Sequence, residues 1–399
     1  MNQKAYVVYA KRTAVGRMGG TLKNIEPDDL LMPLLEDFKS ENLIPNEELT
    51  ELVIGQAKQT QDHSNIARKV LLKTGLPETL PGYTVHRACG SGMQSIHNAL
   101  MGIRSGLGQA YLVGGVESMS TAPYYVNGAR FGLMSGSTEF KDPNRSSQPG
   151  SQPLEMYGNL NMGETAENLA EQYNISRSEQ DEFARSSQEK AKKAIESSRF
   201  KEEIVPVKVP QRKKEPLLFD TDEHPRDTSL EKLGKLPPAF RKNGTVTAGN
   251  SSGLNDGASL MLVVSEEMVK KYNLNVMAEV VSIGLSGVNP KIMGIGPVDA
   301  SKKALESIDL SIDSMDLVEL NEAFAAQSLA VINDLNIDPD KLNVNGGAIA
   351  LGHPIGNSGT RISVTLVHEM MKRNSKYGLA TLCIAGGQGI ATVFKSFDG

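Results

Sequence analysis

Short apolar runs alternate with stretches of helical spacing along most of this chain. The opening MNQKAYVVYAKRTA passes straight into a strand-like run. Further short apolar strands follow in ELTELVIGQ around Val53, AYLVGGVES around Gly114, SMDLVELNE around Val318 and TLCIAGGQG around Cys383. Between them lie segments such as MQSIHNALMGI, whose apolar residues recur at helical spacing. Apolar strands that alternate with helical patterns predict an α/β protein, with a mostly central, buried sheet flanked by helices.

The pattern occurs twice. The run around Val53 matches the run around Val318 at an offset of 265, and CGSGMQSIHNAL from Cys89 matches GNSGTRISVTL from Gly356 at 267. AYLVGGVES, with Gly114, matches TLCIAGGQG, with Gly386, at 272. Three landmarks in one order at nearly constant offset predict a duplicated unit. The expected division is an N-terminal half over 1–120, completed by 252–274, an insertion over 121–251 and a C-terminal half over 275–399. The insertion opens with the loop-like MSGSTEFKDPNRSSQPGSQP. Surface helices are then expected in MGETAENLAEQYN, in Ser176–Phe200 and in LEKLGKLPPAF. The second has Ser176 or Ser178 as N-cap, acids early and lysines late. VKVPQRKKEP reads as a solvated strand and turn, with attraction of a phosphate-bearing ligand as the alternative.

Composition narrows the class. The 399 residues suffice for two or three domains, and 39% hydrophobic with 22% charged residues is ordinary for a soluble globular chain. A net charge of −5 gives no reason to expect nucleic acid or an acidic membrane as partner. No run approaches the ~18 apolar residues of a membrane span. The first residues lack a signal peptide's apolar stretch, and KSFDG is not a peroxisomal address. The expected compartment is cytoplasm-like and reducing, so that both thiols stay free.

The chain has two cysteines, each in a glycine-rich turn: Cys89 in HRACGSGMQS and Cys383 in TLCIAGGQG. A third such turn, GGAIALGHPIGNSG, carries His353. A thiol is a nucleophile only as thiolate, which a helix N-terminus and a nearby base favour. Glycine lets backbone N–H groups approach a reacting carbonyl. Cys89 precedes GSG and a helical pattern, which puts it at a helix start. The alternatives are one disulfide or two inert thiols, and no zinc-like spacing is present. Asn321 in VELNEAFAAQ ends a strand-like run, and by itself reads as an N-cap.

Taken in order, KRTAVGRMGGTL, RACGSGMQS, GGVESMS, MGETAEN, GTVTAGNSSGLNDGA, NEAFAAQ, NVNGGAIALGHPIGNSG and CIAGGQG make the chain resemble the thiolases over essentially its whole length. These are the acetyl-CoA acetyltransferase and 3-ketoacyl-CoA thiolase family. The resemblance implies a duplicated five-layer α/β/α/β/α fold with an inserted loop domain. It implies an acyltransferase of fatty acid metabolism that condenses two acetyl-CoA reversibly to acetoacetyl-CoA plus CoA through an acyl-cysteine. A degradative 3-ketoacyl-CoA thiolase of broader chain length is the alternative. By resemblance Cys89 is the nucleophile, His353 activates it and Cys383 is the acid and base. Asn321, through a water, and His353 form one oxyanion hole. The backbone N–H groups of Cys89 and Ala385 form the other. Ser252, Arg226, Phe324, Met293 and Met162 fall where the family binds coenzyme A.

Two residues depart from the family. Ala385 stands where glycine is usual, which could narrow the acyl site. Asn161 stands where acetoacetyl-specific members often have histidine, which weakens the case for strict short-chain specificity. No metal and no cofactor are implied, coenzyme A thioesters being substrates. The implied partners are acetyl-CoA, acetoacetyl-CoA and coenzyme A, with neither nucleic acid nor membrane. The implied assembly is a homotetramer built through the loop at 134–153, or a homodimer. A ketoacyl synthase has no counterpart of Cys383, and a non-catalytic relative would have lost one of the four catalytic residues.

Overall fold

The apolar runs become strands, and the middle ones have neither face in water. The computed structural model describes residues 3–397. Its strands are β1 (Ala5–Arg12), β2 (Gly16–Arg17), β3 (Glu51–Gly55), β4 (Gly82–Val85), β5 (Ala110–Ser118), β6 (Val207–Gln211), β7 (Lys214–Phe219), β8 (Asn255–Ser265), β9 (Ala278–Gly287), β10 (Leu317–Leu320), β11 (Tyr377–Ile384) and β12 (Gln388–Lys395). One sheet runs β10-β11-β12-β9-β1-β8-β5-β3-β4, with β2 on β8.

The sheet is two copies of one pattern. β3 lies parallel to β5, β5 antiparallel to β8 and β8 antiparallel to β1. In the same relation stand β10 and β11, β11 and β12, and β12 and β9. The copies meet in a short β1–β9 ladder of Tyr6 with Glu279 and Val7 with Ala278. Side chains alternate between layers with period two. On β8, Met261 and Val263 face a middle core, while Leu260, Leu262 and Val264 face an outer one.

The middle core holds helices Ser91–Ser105 and Ser358–Arg373 between the two half-sheets. Helices Pro27–Glu41 and Ile66–Lys73 cover one outer face, and Gly296–Glu306 and Ala325–Leu335 the other. The result is the expected α/β/α/β/α layering.

The layers correct two of the three repeat offsets. Val53 faces the middle core but Val318 faces the outer one, so these two are not equivalent. A slip of one residue turns a strand over. Glu319 takes the place of Val53, at 266. Val53 pairs with Val113 and Glu319 with Ala380, so β5 and β11 correspond at 267. The offset of 272 arose by matching Gly114, inside β5, to Gly386, in the turn after β11. The helix offset of 267 stands.

The two middle helices touch where both have glycine. A Cβ on Gly92 would lie 2.6 Å from Thr360 Oγ1, and one on Gly359 would lie 2.5 Å from Met93 N. That close approach sets the amino ends of both helices side by side. In the insertion, Ser176 caps helix Arg177–Glu196 in a capping box with Glu179. β6 and β7 form a largely exposed hairpin. Buried Arg12 pairs with Glu203 at 2.7 Å and Asp222 at 2.7 Å, tying the insertion to β1.

Candidate functional site

The turn that carries Cys89 is strained and braced. Ala88 has a left-handed backbone, φ +43°, unusual for a residue with a Cβ. Ser91 Oγ accepts the Arg87 N–H at 2.8 Å and donates to Ala88 O at 2.7 Å. The helix begins at Ser91 with Gly90 as its cap, so Cys89 lies just before the amino end. Both cysteines are free; Cys89 is half-buried and Cys383 is buried on β11.

Burial pushes the Cys89 thiol up to about 11, against the pull of the Ala385 N–H, the Lys58 ammonium and its own N–H. The thiolate therefore needs help from a base. Cys383 is also pushed up, by burial and then by the charge of Cys89.

His353 is firmly held. Its backbone N–H donates to Asn255 Oδ1 at 2.9 Å, and Asn255 Nδ2 donates to Gly16 O at 2.9 Å. Asn255 fills the space beside Gly352, where a Cβ would lie 2.5 Å from the amide carbon. His353 Nδ1 lies 2.6 Å from Ser358 Oγ, which donates its one hydrogen to Pro354 O at 3.0 Å. With Ser358 Oγ donating to Pro354 O its lone pair faces Nδ1, and in that arrangement Nδ1 carries the imidazole hydrogen and Nε2 is the basic nitrogen. Burial, then the Arg361 charge, pushes the imidazole down to about 3, so it is neutral near neutral pH.

The site residues expected from the sequence fall into three places. Cys383, Met293 and Phe324 share one buried cluster with Ala166 and Val246, and Met162 packs against it. The ring of Phe240, from the insertion, meets Phe324 edge-on at 5.8 Å. Ser252 borders this cluster, its N–H donating to Ala323 O at 2.9 Å. Asn321 is fully buried, and neither Oδ1 nor Nδ2 bonds another described residue. It is not an N-cap: Phe324 stands at the cap of helix Ala325–Leu335, three residues further along the chain. Arg226 stands apart and exposed, its backbone N–H on Gln188 Oε1 at 2.8 Å. Asn161 caps helix Met162–Gln172 in a capping box with Glu164, so its side chain is committed to the helix end.

Four further residues build the site and were not singled out from the sequence. Ser358 and Asn255 orient His353. Glu117, fully buried, accepts N–H groups from Ala57 at 3.1 Å, Lys58 at 2.9 Å and Gly356 at 2.8 Å. It locks the end of β3 to the His353 loop. Burial raises its carboxyl to about 7, against those amides. Ser358, Asn255 and Glu117 lie inside the recognised motifs; Lys58, in VIGQAKQ, lies outside every one. His86 lies on Ala57 O at 3.2 Å and His97 on Thr392 Oγ1 at 2.9 Å. No helix is long and apolar enough to cross a membrane among the described residues.

Two family models together match most of the chain. "Thiolase, N-terminal domain" matches residues 5–267 and "Thiolase, C-terminal domain" matches 274–396. An acetyl-CoA acetyltransferase of Pseudomonas aeruginosa is 48% identical over 390 residues, 98% of each chain. A probable acetyl-CoA acyltransferase of Staphylococcus aureus is 47% identical over 389 residues, 97% of this chain and 98% of its own. Among solved structures, the Bacillus anthracis acetyl-CoA acetyltransferase superposes with a TM-score of 0.96 at 44% identity, covering 100% of both chains. Human mitochondrial 3-ketoacyl-CoA thiolase in complex with CoA gives 0.93 at 44% identity, covering 99% of this chain and 98% of that one.

Proposed function

This chain belongs to the thiolase family, and from that premise we propose that it is an acetyl-CoA C-acetyltransferase that condenses two acetyl-CoA to acetoacetyl-CoA and coenzyme A, and reverses the reaction. The reading is carried by a turn-held thiol facing the Ala385 N–H at one helix start and, at the helix start packed beside it, a neutral imidazole whose Nδ1 is engaged by Ser358 Oγ.

His353 Nε2 takes the Cys89 proton as the sulfur attacks the thioester carbonyl. Coenzyme A leaves as the thiol, carrying that proton. The Cys89 and Ala385 amides face the oxygen charge on the acyl-enzyme side, and His353 with Asn321 faces the enolate of the second substrate. Cys383 removes a methyl proton from that substrate. The carbanion attacks the acetyl carbonyl and expels the Cys89 thiolate, which takes from Cys383 the proton removed from the methyl group. Two thiols and an imidazole supply every proton transfer, so the scheme calls for no cofactor or metal. Met162, Met293, Phe324 and Ser252 are assigned to the pantetheine arm and Arg226 to the nucleotide. The chemistry requires free thiols, hence a reducing, cytoplasm-like compartment.

Incubation with acetyl-CoA followed by peptide mapping is expected to place an acetyl group on Cys89; acetyl on Cys383 alone would sink the assignment. The second reading, a 3-ketoacyl-CoA thiolase of broader chain length within fatty acid metabolism, is favoured by the capping role of Asn161. Thiolysis rates with acetoacetyl-CoA against longer 3-ketoacyl esters separate the two. For assembly we favour a homotetramer over a homodimer. Phe131, Met134, Phe140 and Met156 are all more than 60% exposed in or beside the insertion loop, where a partner copy would cover them. Light scattering on the intact chain and on one shortened between Ser135 and Pro153 tests this. A dimer for both refutes the tetramer, and a tetramer for both removes the loop from the contact.

A further inference from the structure

Lys58 has no place in the reaction scheme, yet it is a buried cation beside the nucleophile turn. It follows the end of β3, where the backbone is wedged against that turn. A Cβ on Gly55 would lie 2.3 Å from Ser91 C, and Ala57 O meets His86 Nε2 at 3.2 Å. The Lys58 side chain is only 7% exposed. Its Nζ donates to Pro143 O at 2.7 Å and to Ser147 Oγ, both from the insertion. It forms no ion pair among the described residues, so two neutral oxygens are its close partners. A buried ammonium held in this way is costly unless an anion compensates it from nearby. The groups whose charge it feels are Glu117, Cys89 and Asp142. Glu117 is already engaged by three backbone N–H groups. Of these three, Cys89 alone gains its charge during the reaction.

We propose that Lys58 is a positioning residue of the reaction: its buried ammonium offsets the Cys89 thiolate, while its hydrogen bonds fasten the 143–147 segment of the insertion beside the nucleophile turn. The groups that face the Cys89 sulfur are then Lys58 after β3, Glu117 on β5, Cys383 on β11 and the Ala385 N–H. His353 supplies the base. The inference rests on the reading of Cys89 as nucleophile.

The test is the pH dependence of Cys89 alkylation by iodoacetamide, followed by peptide mapping in the intact chain. Lys58→Gln keeps polar reach toward Pro143 and Ser147 but loses the charge. It is expected to move the alkylation midpoint upward and to slow alkylation about tenfold below it, the equivalent of one pKa unit. Lys58→Arg is expected to recover most of the rate. Ser147→Ala loosens the anchor but keeps the charge, and is expected to leave the midpoint in place. A Lys58→Gln midpoint equal to the parent's overturns the proposal, as does a Ser147→Ala shift as large as that of Lys58→Gln. Should Lys58→Gln fail to fold, Lys58→Met is read in the same way. Acetylation of the parent by acetyl-CoA is measured alongside. A parent never acetylated on Cys89 sinks the nucleophile reading, whereas an acetylated parent with unmoved Lys58 variants sinks the proposal alone.

Discussion

The two middle helices begin in turns that are copies of each other, HRACGSG from His86 and HPIGNSG from His353, yet only one turn offers a thiol and only the other offers a base. In both, the serine donates back to the chain: Ser91 to Ala88 O at 2.7 Å and Ser358 to Pro354 O at 3.0 Å. The histidines diverge. His86 is exposed and engages Ala57 O through Nε2, whereas His353 is buried and engages Ser358 through Nδ1, leaving Nε2 basic. At the position of Cys89 the second turn has Gly356, where a Cβ would lie 2.8 Å from both Ala57 N and Val116 O. That place is closed by backbone.

The strand ends diverge likewise. Cys383 corresponds to Val116, which is buried in the outer core, and Asn321 corresponds to Gly55, which has no room for a side chain. Duplication therefore supplied two similar helix starts, and packing decided which could carry chemistry. On the proposed scheme the N-terminal half keeps the nucleophile, and the C-terminal half keeps the base, the second thiol and the buried carboxamide.

The histidines give the sharpest test of this division. His353→Ala removes the base and is expected to slow both Cys89 alkylation near neutral pH and turnover, the latter by ~10²–10⁴-fold. His86→Ala, at the equivalent position, is expected to stay within about threefold, since its ring makes a single exposed contact. Equal losses in the two variants would mean that the turns share the work. Next is Cys383→Ser. An alcohol is a far poorer acid and base than a thiol near neutral pH, so condensation is expected to fall by ~10² or more. Acetyl transfer to Cys89 is expected to persist. Condensation at the parent rate would remove Cys383 from the scheme.

Gly356→Cys tests whether the second turn could host a nucleophile. The added side chain meets backbone on two sides, so the expected result is a loss of about 1–3 kcal/mol in stability, read by urea unfolding. No second acetyl group is expected after incubation with acetyl-CoA. A stable, doubly acetylated variant would show the place to be open.

Much of this was legible in the sequence, because turns that carry thiols and imidazoles beside helix starts need glycine. Cys89 and His353 announced themselves in that way, whereas Cys383 lies inside β11, just before the glycine turn that its sequence surroundings show. Layering was legible from alternating runs, but register was not. An apolar run marks a strand without saying which residue faces which layer, so Val53 was matched to Val318 when the faces require Glu319. Asn321 read as a cap because a polar residue after an apolar run usually is one; here the helix starts later and the amide stays buried. Glu117 reaches Gly356 across 239 positions of sequence, and nothing local to either residue signals that bond. Lys58 was invisible for the same reason: a lysine in a loop is ordinarily solvated, and only the packed insertion buries it.

The smallest expected effect concerns the middle core, where the corrected register sets Val53 and Gln94 of the N-terminal half against Glu319 and Arg361 of the other. Glu319 and Arg361 are both buried, with Oε2 and Nη1 4.0 Å apart. The guanidinium bonds no other described residue. A buried pair with so few hydrogen bonds adds little net stability, because desolvation offsets its attraction. Copying the first half onto the second, Glu319→Val with Arg361→Gln, is therefore expected to leave unfolding stability within about 1 kcal/mol of the parent or to raise it. Glu319→Val alone strands the guanidinium and serves as the destabilised control. The pH profile makes the test sharper. Burial pushes the Glu319 carboxyl up to about 8. Between the ordinary carboxyl range and that value, the folded chain holds a proton that the unfolded chain has released. The unfolded state then binds fewer protons, so this group makes stability fall as pH rises through the window. The double variant is expected to lose that contribution and to show a flatter stability curve from about pH 5 to pH 8. A double variant that is much less stable and keeps the parent's slope would mean that the pair holds the middle core together.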